Sequence, residues 1–326
     1  MIQVPDFNDV TAARARIAGH AVVTPLINNA ELDRRTGGRI LCKAENMQHV
    51  GAFKFRGAYN RLCMIPEADR ARGVVACSSG NHAQGVAEAA RLLGMSATIV
   101  MPADSPRLKL ERTERSGAKI VRYDRASEDR EAIANAIAAE TGATFVHPYD
   151  DAGIIAGQGT LGAEMVEQAQ AMGLMPDLVL VSAAGGGMAS GVALALEAMA
   201  PECELHTVEP AGFDDYARSL LAEERQFNAT SSGSICDALL ANGPGKIGFE
   251  IMRRRASAGL VISDDEALQA VAFAFHELKQ VVEPGGAAAL AAVLSGKIDV
   301  AGKTVGVVLS GGNIDPDMLV NALRPR

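Results

Sequence analysis

The chain has 326 residues, 48% of them hydrophobic, 21% charged and only 4% aromatic, a composition that fits two moderate globular domains and excludes a disordered, fibrous or disulfide-scaffold protein. Its 31 basic residues against 39 acidic ones leave a net charge of −8, and the one basic block, Arg253-Arg254-Arg255, reads as the solvated end of a helix, so nucleic-acid binding is not expected. Five cysteines without a CxxC pair and six histidines without metal-ligand spacing predict reduced thiols in a cytoplasmic protein and argue against a zinc hydrolase.

The opening MIQVPDFNDV carries two acids and no basic-then-apolar pattern, so it does not read as a signal peptide, and no apolar run is long enough to span a bilayer. The first forty residues are expected to hold one helix and one strand. Further strands are predicted at 40–44, 74–77, 97–101, 119–122, 144–146, 178–182, 204–208 and 304–309. Helix-length stretches rich in Ala, Glu, Arg and Leu lie at 81–94, 105–116, 127–140, 158–173, 188–199, 264–280, 285–296 and 315–324. This alternation implies right-handed crossovers: an α/β fold of open, mostly parallel twisted sheets flanked by helices. The turn-rich HPYDDAG at 147–153 marks a boundary between a small domain at 49–148 and a large one formed by 1–48 and 149–326.

Ligands of open parallel sheets bind outside the carboxyl ends of the strands. Three predicted strands run there into small, glycine-bearing turns: Ser78-Ser79-Gly80-Asn81-His82, Ala183-Ala184-Gly185-Gly186-Gly187-Met188 and Ser310-Gly311-Gly312-Asn313. Each leads towards a helix and exposes backbone N–H groups suited to anions. The glycine run at 185–187 lets backbone approach a phosphate closely. A dinucleotide site would instead place GxGxxG early in the chain, which disfavours NAD. The segment Gly51-Ala52-Phe53-Lys54-Phe55-Arg56-Gly57-Ala58 sets a lysine between two phenylalanines. Desolvation there would lower its pKa and make it a nucleophile; a surface lysine snorkelling from a helix start suits the same residues.

Taken together and in order, GAFKFRGAYN, SSGNHAQGVA, AAGGGMASG and SGGNID resemble the serine/threonine dehydratase and serine racemase group of the fold type II pyridoxal-phosphate enzymes, with the tryptophan-synthase-β-like fold and its cofactor between the domains. The likeness runs from about Thr24 to Asp315. It implies that Lys54 holds pyridoxal 5′-phosphate covalently, that Phe53 packs beside the ring, that Asn81 bonds the ring's 3-hydroxyl oxygen, and that Gly185, Gly186, Gly187 and Met188 cradle the phosphate. Ser310 is expected to face the ring nitrogen and Glu283 to lie near the cofactor. Ser78, Ser79, Gly80, Asn81 and His82 are expected to take the substrate carboxylate. Two positions depart from the family pattern: Ala184 stands where a glycine is usual, and Ala52 where Ser or Thr is usual.

The resemblance also implies the chemistry. Lys54 would serve as base for the Cα proton, and loss of the β-hydroxyl from L-threonine, L-serine or 3-hydroxyaspartate would give a 2-oxo acid and ammonia. In racemase members a serine matching Ser79 protonates the opposite face; alternatively Ser79 only binds carboxylate. A cysteine-synthase-type transferase shares the fold but matches the motifs less well. The loop Glu209-Pro210-Ala211-Gly212-Phe213-Asp214-Asp215 resembles the family's divalent-cation loop, with Glu209, Asp215 and the Phe213 carbonyl as hard oxygen ligands for Mg²⁺, Ca²⁺ or Mn²⁺; the same residues also read as an acidic start to a helix at 214–222. Arg218 and the segment 234–239 are candidates for shaping the side-chain pocket, although Arg218 reads more readily as a surface arginine on a helix. The chain ends eleven residues beyond Asp315, so a C-terminal effector domain with feedback control is not expected; the resemblance implies a homodimer.

Overall fold

The computed structural model describes residues 3–78, 80–105, 107–124 and 127–324. The chain begins with α1 (Phe7–Ile17), β1 (Leu26–Asn28), α2 (Ala30–Thr36), β2 (Arg39–Ala44), α3 (Lys54–Cys63) and α4 (Glu67–Arg70). It continues through β3 (Val74–Cys77), α5 (Asn81–Leu92), β4 (Ala97–Pro102), α6 (Arg107–Arg115), β5 (Lys119–Tyr123), α7 (Arg130–Thr141) and β6 (Thr144–Phe145). Then come α8 (Ala152–Ala171), β7 (Leu178–Ser182), α9 (Gly187–Met199), β8 (Glu204–Pro210), α10 (Asp215–Ala222), α11 (Lys246–Arg255) and β9 (Ala258–Ile262). The last elements are α12 (Asp264–Phe273), α13 (Ala288–Leu294), β10 (Thr304–Leu309) and α14 (Pro316–Ala322).

These strands form two sheets, a six-stranded one ordered β1-β2-β10-β7-β8-β9 and a four-stranded one ordered β5-β4-β3-β6. Every pairing is parallel except β1 with β2. The central strands β3 and β7 are buried along their whole length, as expected where helices cover both faces of a parallel sheet. Among the described residues no helix is long and apolar enough to cross a membrane.

The differences from the sequence reading have physical causes. The first forty residues hold two helices and a strand rather than one of each; α2 has only seven residues, two turns that are too short to show a helical period. Helix α8 starts at Ala152, six residues before the expected start. Glycines at 153, 157 and 159 weaken helix propensity, but here they are packing residues: a Cβ on Gly157 would stand 2.6 Å from the Gly57 Cα, so α8 and α3 touch backbone to backbone. The stretch 264–280 is an α-helix only to Phe273 and ends in a π-helical turn at 274–278. Helix α11 and strand β9 were not anticipated as elements, although the Arg253–Arg255 triplet does close α11 as its last, basic turn.

Candidate active site

Lys54 opens α3, and the segment before it is fastened to the loop after β10. Phe53 N–H donates to the Ser310 carbonyl (3.1 Å), Gly312 N–H to the Gly51 carbonyl (2.9 Å), and Ala52 bridges Gly311. Two of the loops singled out in the sequence are therefore one structural unit. The Lys54 ammonium donates to the Pro148 carbonyl at 2.8 Å and lies 5.2 Å from the centre of the Phe53 ring. The side chain opens on a pocket and is half-buried, yet the surrounding protein dehydrates its ammonium and lowers its pKa to about 8. The Pro148 carbonyl is aimed by the 147–150 turn, in which His147 Nδ1 accepts from Asp150 N–H at 2.8 Å.

The pocket above Lys54 is lined by Phe53, Ser78, Gly80, Asn81, His82, Gly185, Gly186, Gly187, Met188, Glu283 and Ser310. These residues come from both sheets: Ser78 to His82 lie just after β3, and Gly185 to Met188 just after β7. Ser79 lies outside the described residues. Asn81 Nδ2 donates to Glu283 Oε1 at 2.6 Å. Ser310 presents a neutral hydroxyl, 3.4 Å from that of Ser182. His82 donates from Nε2 to the Val146 carbonyl at 3.1 Å and leaves a buried Nδ1 without a partner. Burial and then the nearby Lys54 charge depress its pKa to about 3, so its ring is neutral; a carboxylate here would rely on backbone N–H groups, because Nδ1 can only accept.

Helix caps show where anions fit. Asp6, Asn29, Asp129, Asp151, Ser263 and Asp315 cap their own helices with side chains. Helix α11 receives Asp150, which accepts from Lys246 and Ile247 N–H, and α10 receives Glu209. Helices α5 and α9 have glycine N-caps and no side-chain cap, and their first residues line the pocket. Both present unfilled N–H groups and a positive dipole end to the same cavity. The glycines at 185–187 also have a second role. Gly186 has φ +88°, a Cβ there would overlap the Tyr216 hydroxyl, and one on Gly185 would overlap the Tyr149 ring. A half-buried amine without a carboxylate partner and two uncapped helix starts fit pyridoxal phosphate, which brings an aldehyde and a phosphate.

Several lining residues were not singled out in the sequence: Arg130, Tyr149 and Ser182. Arg130 stands in the first turn of α7, too far beyond β5 to be noticed among the residues at strand ends. Tyr149 lies in the turn read only as a domain boundary. Arg218 is not in the pocket. It donates to the Phe227 carbonyl (3.2 Å) and Asn228 Oδ1 (2.5 Å), with Asp214 at 3.7 Å. The segment after Cys236 does line the cavity, through Asp237, Ala238 and Leu239.

Glu209 is fully buried and accepts from Tyr216 and Ala217 N–H, each at 3.0 Å. Asp215 Oδ1 accepts from Asn228 Nδ2 at 2.6 Å, while Oδ2 is buried with no partner. Burial, and next the Asp215 charge, push Glu209 well above the usual carboxylate range, and burial pushes Asp215 up to about 7. Among the described residues no three His, Cys, Asp or Glu side chains converge on a metal position. The orphaned Asp215 oxygen beside a second buried carboxylate nevertheless fits a hard cation.

Residues 17–311 match the family model for pyridoxal-phosphate dependent enzymes, and the chain belongs to that family. It is 41% identical over 323 residues to the L-threo-3-hydroxyaspartate ammonia-lyase of a Pseudomonas species, covering 99% of this chain and 100% of that one. With the L-threonine ammonia-lyase of Thermotoga maritima it shares 38% identity over 95% of this chain and 76% of the other. The structure of maize serine racemase superposes with a TM-score of 0.92 at 35% identity, over 98% of this chain and 97% of that one. Its fold is that of fold type II pyridoxal-phosphate enzymes, two mostly parallel sheets flanked by helices.

Proposed function

We propose that this protein is an ammonia-lyase that removes water and then ammonia from a 3-hydroxy amino acid, with 3-hydroxyaspartate favoured over L-threonine and L-serine. The observation that carries the choice of substrate is Arg130. Arg130 lines the same pocket as Lys54 and His82, and among the described residues it has no ion-pair partner. An unpaired guanidinium suits a second carboxylate, which it can hold bidentately. The names of the relatives, hydroxyaspartate and threonine ammonia-lyases, agree with this reading.

Pyridoxal phosphate supplies the electron sink that makes the Cα proton removable. The chain's own groups divide the remaining work. Lys54 Nζ, with its pKa lowered to about 8, is the base that takes the Cα proton near neutral pH. The N–H groups of Gly187 and Met188 at the start of α9 hold the phosphate, and those of Asn81 and His82 at the start of α5, with the Ser78 hydroxyl, hold the α-carboxylate. Phe53 covers Lys54 and limits water. Ser310 would offer the ring nitrogen a neutral hydroxyl, which would not stabilise its protonated form as a carboxylate would.

The test is a panel of L-serine, L-threonine and both 3-hydroxyaspartate diastereomers, scored for oxo acid, ammonia and enantiomeric composition. Oxaloacetate and ammonia from one hydroxyaspartate diastereomer, at the highest kcat/KM, is the expected result. Accumulation of D-serine without oxo acid would favour a racemase, with Ser79 as its second proton donor.

Three finer assignments complete the proposal. A divalent cation binds at Glu209, Asp215 and the Phe213 carbonyl. Mg²⁺ is then expected to raise Tm and EDTA to lower it, with both effects lost in Asp215→Asn; equal Tm in both buffers would remove the site. Residues 49–148 form the small domain and 1–48 with 149–326 the large one, with the cofactor between them. The protein is a cytoplasmic homodimer, in keeping with five free cysteines and with the exposed apolar surface at Val23 and Met47.

A further inference from the structure

The asparagine that ends the SGGN motif has no role in the chemistry described above, yet it sits at the centre of a continuous polar chain. Arg112, on α6, donates from Nη1 to Asn313 Oδ1 at 2.6 Å. Asn313 Nδ2 donates to the Val50 carbonyl at 2.7 Å and to Asn81 Oδ1 at 2.8 Å. Asn81 Nδ2 in turn donates to Glu283 Oε1 at 2.6 Å and borders the pocket.

An amide side chain can be turned end for end, so its orientation has to be argued from its partners. Arginine only donates, and a backbone carbonyl only accepts. If Asn313 were reversed, its NH₂ would face the guanidinium and its oxygen would face the Val50 carbonyl: two lost bonds and two repulsions. Its NH₂ must therefore point towards Val50 and Asn81. Asn81 then has to offer Oδ1 to Asn313, which leaves Nδ2 for Glu283 and the cavity.

We infer that Arg112 is a positioning residue: through Asn313 it fixes the Asn81 amide so that a donor, not an acceptor, faces the cofactor's ring oxygen. The relay joins α6, which belongs with the four-stranded sheet, to the loop after β10 of the six-stranded sheet. It rests on the reading of Asn81 as the partner of that oxygen, so the experiment includes Asn81 itself.

Holoprotein is mixed with an excess of a scavenger for free pyridoxal phosphate, and the loss of the visible absorbance band is tracked together with its position. Asn81→Ala sets the full size of the effect. Arg112→Leu is expected to release cofactor about 5- to 10-fold faster than the unaltered protein, the worth of one well-placed hydrogen bond, with the band displaced in the same direction as in Asn81→Ala. Arg112→Lys keeps a donor and is expected to recover at least half of the change. Unaltered release and spectrum in Arg112→Leu, alongside fast release in Asn81→Ala, would overturn the relay and leave Asn81 in place. Equal effects of Leu and Lys would make Arg112 a packing residue and overturn it as well. No change in Asn81→Ala would remove the reading of Asn81 and the relay with it.

Discussion

Lys54 and Arg56 are two residues apart on one helix, and their surroundings are opposites. Arg56 is fully buried and all its donors are used: Nε and Nη2 bond Glu45 (2.8 and 2.9 Å), Nη1 and Nη2 bond Glu164 (2.7 and 2.8 Å), and Thr160 and the Val22 carbonyl take further bonds. Glu164 also pairs with buried Lys43 at 2.7 Å, and Thr24 Oγ1 closes the cluster on Glu45. Two cations and two carboxylates balance. Lys54, by contrast, has one carbonyl, and Arg130 in the same pocket has no ion pair among the described residues. Charge that is fully partnered holds the architecture; charge left without a counter-ion in a cavity is kept for a ligand.

The strongest way to break this contrast is to substitute each member of the pair. Lys54→Ala is expected to lower kcat by about 10³-fold or more, the scale of losing a positioned base, while Tm of the cofactor-free protein changes little. In that cofactor-free protein an amine-reactive reagent should label Lys54 with a midpoint near pH 8, because burial has lowered its pKa from 10.5 to about 8; a midpoint above 10 would show an ordinary solvated amine. Arg56→Met should reverse the pattern. It leaves Glu45 and Glu164 facing each other without their shared cation, and urea denaturation should show a loss of about 3–5 kcal/mol. A fully stable Arg56→Met protein would mean that the cluster is not structural.

How far the sequence reveals this contrast depends on the residue. The loops that carry Asn81, Gly185 to Met188 and Ser310 are legible because each places small or polar residues after a buried strand, and Lys54 because it stands between two phenylalanines; the structure brings all of them to one pocket. Arg56 was not legible as a structural cation: its partners Glu45 and Glu164 lie 11 and 108 residues away, and only the packing of α8 on α3 reveals them. Helix α8 was itself misjudged at its start for the same reason, since its glycines are explained by contacts with α3 and α9 rather than by local preference. Arg218, a candidate for the pocket, lies outside it, while Arg130, not singled out, lines it. Both are helical arginines near acidic residues, and the direction each side chain takes is set by tertiary neighbours, Asn228 and Asp214 in the case of Arg218.

The contrast sharpens at Arg130. Arg130→Met should reduce kcat/KM for 3-hydroxyaspartate by about 10- to 100-fold, the worth of a charge-assisted hydrogen-bonded pair, and should leave L-threonine turnover within about twofold. Tm should hold, because no carboxylate of the protein loses a partner. Equal losses on both substrates would mean that Arg130 shapes the pocket rather than recognising a second carboxylate.

The smallest effect concerns the backbone that leads into Lys54. Val50 adopts φ 56° and ψ 13°, a left-handed conformation that is strained for a β-branched residue. The strain is held by Asn313, which bonds the Val50 carbonyl, and by the pairing of Gly51 to Phe53 with Ser310 to Gly312. At an unstrained position glycine is the worse replacement, by roughly 0.5–1 kcal/mol relative to alanine, because it frees the unfolded chain. At position 50 the order should invert. Alanine loses the same packing but keeps the conflict of its Cβ with the backbone, roughly 1–2 kcal/mol, which glycine escapes. Denaturation of Val50→Gly and Val50→Ala side by side should therefore find the glycine variant more stable by up to about 1 kcal/mol. The usual order, alanine above glycine, would show that the turn before Lys54 relaxes in solution and that its geometry is not imposed by the loop after β10.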